Sequence, residues 1–299
     1  MLFLEMLVPA VAVILFSVVF LVSCENTALG IEPTSIYFGD EINISKNNGT
    51  SELPQITAEG NNVYVVWQDN TNGNYDVYFA YSPDNGKNFE SIRNLSKNNG
   101  TSELPQITAE GNNVYVVWQD NTNGNYDVYF KSSSTNGTKF KSIRNLSKNN
   151  GTSELPQIAT YKDLVYVIWK DSTSGTDRIF FKDGQKENST NITEFGSLNK
   201  LVSIGNVSKP KIVAGSNFFS GIWTSNLANA SVIEFYPVKF FDNSNNPIQL
   251  TKLSSKDSIT NVSIFGHNSD TYLVWENKKI SNGDIFFKKI STRFFDRNG

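Results

Sequence analysis

Cysteine and histidine occur once each in 299 residues. The lone cysteine excludes an intramolecular disulfide and a cysteine-clustered zinc site, and the lone histidine excludes a histidine-rich metal centre. An excess of one charge is also missing. Twenty-six basic residues stand against 29 acidic ones, a net charge of −3 that gives nucleic acid no basic surface to bind. Helical periodicity is absent downstream of the N-terminus, and the one long apolar run is Leu2 to Ser23. Aromatics, in contrast, are plentiful at 13%, from Phe 21, Tyr 12 and Trp 5. That is enough to build a sizeable core and argues against disorder.

The apolar run is at the lower length limit for crossing a bilayer. It ends Leu21-Val22-Ser23-Cys24, which resembles a lipobox, where a cysteine after small residues is lipidated once the leader is cleaved. A lipoprotein signal acylated at Cys24 and an uncleaved N-terminal anchor are both open, with free secretion a third route. Each puts the rest of the chain outside the cytoplasm. The expected organisation is a leader or anchor at 1–23, a linker at 24–35, a globular part at 36–290 and a tail at 291–299.

Internal repetition dominates the globular part. Residues 45–79 recur unchanged at 96–130, and 91–107 recur at 142–158. All five tryptophans, Trp67, Trp118, Trp169, Trp223 and Trp275, fall in the same register of five units. Each unit reads as four short strands separated by Gly/Asn turns. In the first, Val63-Tyr64-Val65-Val66-Trp67 is a β-branched and aromatic run suited to burial on both faces. Tandem four-stranded units of this size predict an all-β, five-bladed β-propeller. Residues 37–45 match the fourth strand of a unit, while the last unit lacks one, so the expected closure pairs the N-terminal strand into the last blade. An open solenoid is the alternative.

Ser82-Pro83-Asp84-Asn85-Gly86-Lys87-Asn88-Phe89 matches Ser-x-Asp-x-Gly-x-x-Phe. This resembles the Asp-box of sialidase-type propellers, a structural turn on the face away from their active site, with Ser82, Asp84, Gly86 and Phe89 as its residues. The second copy has Thr135 in place of the aspartate. The resemblance implies a sialidase-like propeller. Activity of that kind would require three arginines gripping a carboxylate, a tyrosine nucleophile with a glutamate partner, and an acid/base aspartate. The arginines present, Arg93, Arg144, Arg178, Arg293 and Arg297, form no convergent set. Identical blades also present identical groups, whereas catalysis needs unequal partners. No catalytic residue is therefore assigned, and a binding module is favoured over a sialidase-like exo-glycosidase with a non-standard site or a structural envelope component.

The links between blades carry Glu52, Glu103 and Glu154, and the turns between second and third strands carry Asp69, Asp120 and Asp171. Both loop types should share one rim, making an acidic, Asn-rich surface for a glycan or protein. No cofactor is expected; Ca²⁺ is the one ion whose preference for oxygen ligands such a rim suits. The alternative is that these residues only form turns. Tyr64, Tyr115, Tyr166 and the tryptophans are expected in the core between blades. Asn-x-Ser/Thr acceptors recur, and Asn48, Asn99 and Asn150 lie on the same rim.

Overall fold

The structure is a computed structural model describing residues 39–90, 92–162, 164–187, 191–201, 206–215, 218–227, 230–239, 250–255, 258–267, 270–278 and 283–291. The leader, Cys24, and Tyr37 and Phe38 of the matching N-terminal segment lie outside these residues. Among the described residues every regular element is a strand. The first sheet contains β1 (Ser51–Glu59), β2 (Asn62–Asp69), β3 (Asp76–Ser82) and β4 (Arg93–Asn94). Its repeat contains β5 (Ser102–Glu110), β6 (Asn113–Asp120), β7 (Asp127–Ser133) and β8 (Arg144–Asn145). The third has β9 (Ser153–Tyr161), β10 (Leu164–Asp171), β11 (Arg178–Glu187), β12 (Asn191–Phe195) and β13 (Asn199–Leu201). The fourth has β14 (Asn206–Val207), β15 (Lys211–Gly215), β16 (Phe218–Leu227), β17 (Ala230–Lys239) and β18 (Leu250–Ser255). The last has only β19 (Ser258–His267), β20 (Asp270–Lys278) and β21 (Gly283–Ser291).

All pairings are antiparallel, as short turns demand. The strand that opens each sheet lies beside its counterpart in the next: β1 by β5, β5 by β9, β9 by β15, and β15 by β19. Alternation along the second strand then assigns the two faces. In the first sheet, Tyr64 and Val66 face forward with Val77 and Phe79, and pack against Val114, Val116 and Trp118 of the second. The same junction recurs with Tyr115, Val117, Val128 and Phe130 against Val165, Val167 and Trp169. Trp118, Trp169, Trp223 and Trp275 thus point to the preceding sheet. Tyr64, Tyr115 and Tyr166 are buried, as expected of blade core. Each large apolar side chain buried in this way contributes roughly 1.5–3 kcal/mol.

The closing strand exchange is not made among the described residues. β21 pairs with β20 alone. Residues 39–50 form no strand, and Ile44 instead packs with Val65 and Trp67 of the first sheet. Ile44 stands where Leu95 stands one unit later, and Leu95 packs against the sheet that follows it.

Neighbouring sheets also constrain the Asp-box turn. Gly137 has φ +74, and a Cβ there would meet Phe79 Cζ at 2.6 Å, whereas Gly86, at φ +84, faces open space. Both alanine variants bear the cost of a left-handed backbone. Only Gly137→Ala also overpacks a sheet junction, so it should lower stability by about 1–3 kcal/mol more than Gly86→Ala in urea unfolding.

Candidate functional site

The rim carrying the links between sheets is built on one repeated group, a buried aspartate. Asp69 Oδ2 accepts from Ser51 Oγ at 2.7 Å and Trp67 Nε1 at 3.3 Å, and from the Asn47 amide. Its Oδ1 accepts from Thr71 N at 2.9 Å and Thr71 Oγ1 at 2.5 Å. Asp120 repeats this with Asn98, Ser102, Trp118 and Thr122. Asp171 does so with Asn149, Ser153 and Thr173. Burial by itself would raise the Asp69 pKa, but the Thr71, Ser51 and Asn47 bonds outweigh it and hold the carboxyl below its usual value. Asp69, Asp120 and Asp171, expected as ligand groups, are buried pins joining the link, the tryptophan and the turn. Their lone pairs are already taken, which leaves the glutamates.

The glutamates do line up. Gln68 Nε2 donates to Glu52 at 3.3 Å, while Gln68 Oε1 accepts from Leu104 N of the next sheet at 3.0 Å. One unit on, Gln119 bridges Glu103 at 3.5 Å and Leu155 N at 3.0 Å. Tyr126 Oη donates to Glu103 at 2.9 Å. Burial, with Glu103 as hydrogen-bond partner, pushes the Tyr126 phenol up to about 12. Tyr75 holds the same place between Glu52 and Glu103, and its pKa is raised by burial and then by Glu52. In the third unit two residues change together: Lys170 replaces the glutamine and Asp177 the tyrosine. Lys170 Nζ lies 3.0 Å from Glu154 and 3.0 Å from Asp177. Burial would lower its pKa, but the two carboxylates raise it. A row Glu52, Tyr75, Glu103, Tyr126, Glu154, Lys170 and Asp177 therefore runs across three sheets. The sequence reading found the glutamates and missed the tyrosines; the coupled change at positions 170 and 177 was the available signal.

Beside Tyr75, between the turn after β2 and the link that follows β4, opens a cleft of about 520 Å³ lined by Asn72, Asn74, Asp76, Asn94, Lys97, Asn98 and Asn99. Asp76 is itself pinned by Asn94 Nδ2 at 2.6 Å and Ser96 Oγ at 2.7 Å. The acceptor positions Asn48, Asn99 and Asn150 are exposed. Arg93 donates to Gly137 O and Thr138 O on the far side of its strand, and Arg178 Nε donates to Ser174 Oγ at 3.1 Å. No group of three His, Cys, Asp or Glu side chains fit to hold a metal occurs among the described residues.

The turn Ser82 to Phe89, read from the sequence as Asp-box-like, lies at the opposite end of the strands. Ser82 Oγ donates to Asp84 Oδ1 at 2.7 Å and accepts from Gly86 N at 2.8 Å. Asn88 donates twice to Asp84, from its backbone N at 2.8 Å and its side chain at 2.7 Å. Phe89 packs against Val65 and Trp67. In the second copy Thr135 Oγ1 takes over the loop bond, accepting from Lys139 N at 3.0 Å.

Asp120→Ala would leave several buried donors without an acceptor and should cost about 3 kcal/mol in urea unfolding, against under about 1 kcal/mol for Glu103→Ala. The Asn88 and Ser82 bonds hold Asp84 down at about 2, from an ordinary 3.8. Because the folded value is the lower one, these bonds stabilise the fold above the ordinary carboxyl pKa. That stability is lost as pH falls toward about 2. Asp84→Asn should flatten this part of the acid-unfolding curve.

The sequence matches no family model and no curated protein. Among solved structures, it resembles the polysaccharide lyase Uly1 at 10% identity and TM-score 0.51, covering 80% of this chain. The chain spans 57% of that lyase's length. Weaker likenesses include a GH43 endo-arabinanase from Bacillus licheniformis, at 15% identity and TM-score 0.40 over 79% of this chain and 92% of that one. Another is a K499G mutant of NanB sialidase from Streptococcus pneumoniae, at 11% identity and TM-score 0.45 over 70% and 33%. At such identities likeness concerns the fold alone. Antiparallel sheets of three to five strands follow one another in chain order, and the fold they make is like that of the polysaccharide lyase Uly1.

Proposed function

We propose that the chain is an extracytoplasmic, membrane-attached propeller of five blades that binds a surface glycan through its carboxylate–tyrosine row without catalysing a reaction on it. Attachment is through the N-terminal segment, either lipidated at Cys24 or retained as an anchor. The observation that carries this reading is the recurrence of one Glu–Tyr–Gln arrangement at successive sheets, beside the amide-lined cleft. Carboxylates and amides accept from and donate to sugar hydroxyls, and half-buried tyrosines offer amphipathic rings. Equal sites spaced one blade apart suit a polymer of repeating units, which gains avidity from each further contact.

A hydrolase would draw on the same residues, since Tyr126 Oη sits 2.9 Å from Glu103, a nucleophile beside a general base. Against it stands the raised phenol pKa, which keeps the Tyr126 hydroxyl protonated near neutral pH. Ca²⁺ could join only as a bridge between glutamates and a ligand.

Glycan-array binding by the purified chain should fall about tenfold or more in Glu103→Gln and in Tyr126→Phe, with no change in unfolding midpoint for the latter. Unchanged binding in both variants would remove the row as the surface. Turnover of aryl sialosides by the intact chain, abolished in Tyr126→Phe, would replace the binding reading with the hydrolase one.

A further inference from the structure

Asparagine followed by glycine is the most labile pair in a polypeptide, because glycine leaves its own nitrogen unhindered. That nitrogen gives up its proton and bonds to the asparagine Cγ, and the side-chain nitrogen departs as ammonia. Water then opens the succinimide to aspartate or isoaspartate. Three such pairs recur in the links that lead into the first three sheets: Asn48-Gly49, Asn99-Gly100 and Asn150-Gly151. The three asparagines are exposed. Packing makes the glycines obligatory. A Cβ on Gly100 would lie 2.6 Å from Thr122 Cα, and Gly49 and Gly151 press on Thr71 and Thr173 in the same way. The link carries a labile pair because nothing larger than glycine fits against the turn.

In each copy the glycine nitrogen is held by the aspartate pin, through one asparagine. Asn98 Oδ1 accepts from Gly100 N at 2.9 Å, while Asn98 Nδ2 donates to Asp120 Oδ2 at 2.6 Å. Asn149 joins Gly151 N, at 2.9 Å, to Asp171, at 2.7 Å. Asn47 accepts from Gly49 N at 3.1 Å and donates to Asp69. A carboxylate only accepts and a peptide N–H only donates, so the asparagine amide between them stands one way round. An N–H committed to an acceptor keeps its proton, and a protonated amide nitrogen is no nucleophile. The four other Asn-Gly pairs among the described residues are also held. Gly73 and Gly124 donate to Asn70 O and Asn121 O, and Gly86 and Gly137 to Ser82 Oγ and Ser133 Oγ. Those acceptors lie within the same turn. The link pairs alone depend on a carboxylate 22 residues away from the asparagine that it orients.

We propose that Asn48, Asn99 and Asn150 are deamidation sites held latent by the aspartate pins, each converted when its link leaves the pin. Such local openings precede global unfolding in any fold of this kind. Conversion adds a carboxylate to an already acidic rim, and at Asn99 it does so within the amide-lined cleft. Where isoaspartate forms, the main chain gains one atom, and the link no longer seats Gly100 against Thr122. Each conversion is therefore a permanent record that a link has opened.

The test incubates the intact chain in mildly alkaline buffer and follows amide-to-acid conversion by peptide mass spectrometry. Trypsin, cutting after Lys46, Lys97 and Lys148, releases the three sites in separate peptides, 47–87, 98–131 and 149–162. Conversion at all three should run about tenfold or more slower in the folded chain than in the same chain unfolded in urea. Asn98→Ala, which removes the acceptor of Gly100 N, should speed Asn99 by about tenfold while Asn48 and Asn150 in the same molecules stay slow. Asn149→Ala, read at Asn150, is the second variant, and the comparison with urea needs no substitution. Equal rates in folded and unfolded chains overturn the proposal. So does an Asn99 rate unmoved in a folded Asn98→Ala chain, or a rise shared equally by all three sites, which marks general loosening rather than loss of one pin.

Discussion

A buried carboxylate holds each of the first three units together. Asp69 and its repeats receive bonds from the incoming link, the turn and, in the first two units, the tryptophan indole. An unpaired charge inside a sheet junction would be prohibitive, so the donors around it are obligatory. This explains why Asn, Ser and Thr recur at fixed places in each link. It also explains why the loops can be polar yet ordered. The ring of donors fixes the link, and the link delivers the next strand beside the previous one. In the third unit the indole of Trp169 has lost this acceptor. Drift from the repeat therefore begins at the pin's periphery.

The architecture was legible because repetition multiplies weak signals. A single Val-Tyr-Val-Val-Trp run reads equally well as a strand or a buried helix segment, but copies in register with Gly/Asn turns leave only meandering sheets. The direction each residue faces was less legible. Asp69 and Glu52 looked alike as acids in rim loops, yet the first turns inward to the indole and the second stays at the surface. Side-chain type does not tell them apart; the position of Asp69 two residues past a buried tryptophan does. Tyr75 escaped notice since it follows a polar turn and precedes a buried aspartate, with no pattern of its own. Its role emerges only from the partner it reaches across the sheet.

Identity between the first two units acts as an internal control. The same residues meet different neighbours, and burial changes accordingly: Ser51 is exposed while Ser102 is buried. Conformation, however, is retained. Sequence sets the shape of each sheet, and stacking sets how much of it meets water. Quasi-one-dimensional assemblies behave in this way, with stability divided between the unit and its interface.

The bulge near the start of each first strand shows what that division means. Leu53, Leu104 and Leu155 all adopt a left-handed backbone, with φ of 51°, 52° and 57°. Such a conformation costs a non-glycine residue about 1–3 kcal/mol. For Leu104 and Leu155 a glutamine of the preceding sheet offsets the cost by accepting the amide hydrogen. No sheet precedes Leu53 among the described residues, so the first unit carries the same twist with no counterpart to steady it. The bulge works as a latch tongue moulded before its keeper arrives. Loss of order should accordingly spread inward from Leu53, one latch at a time.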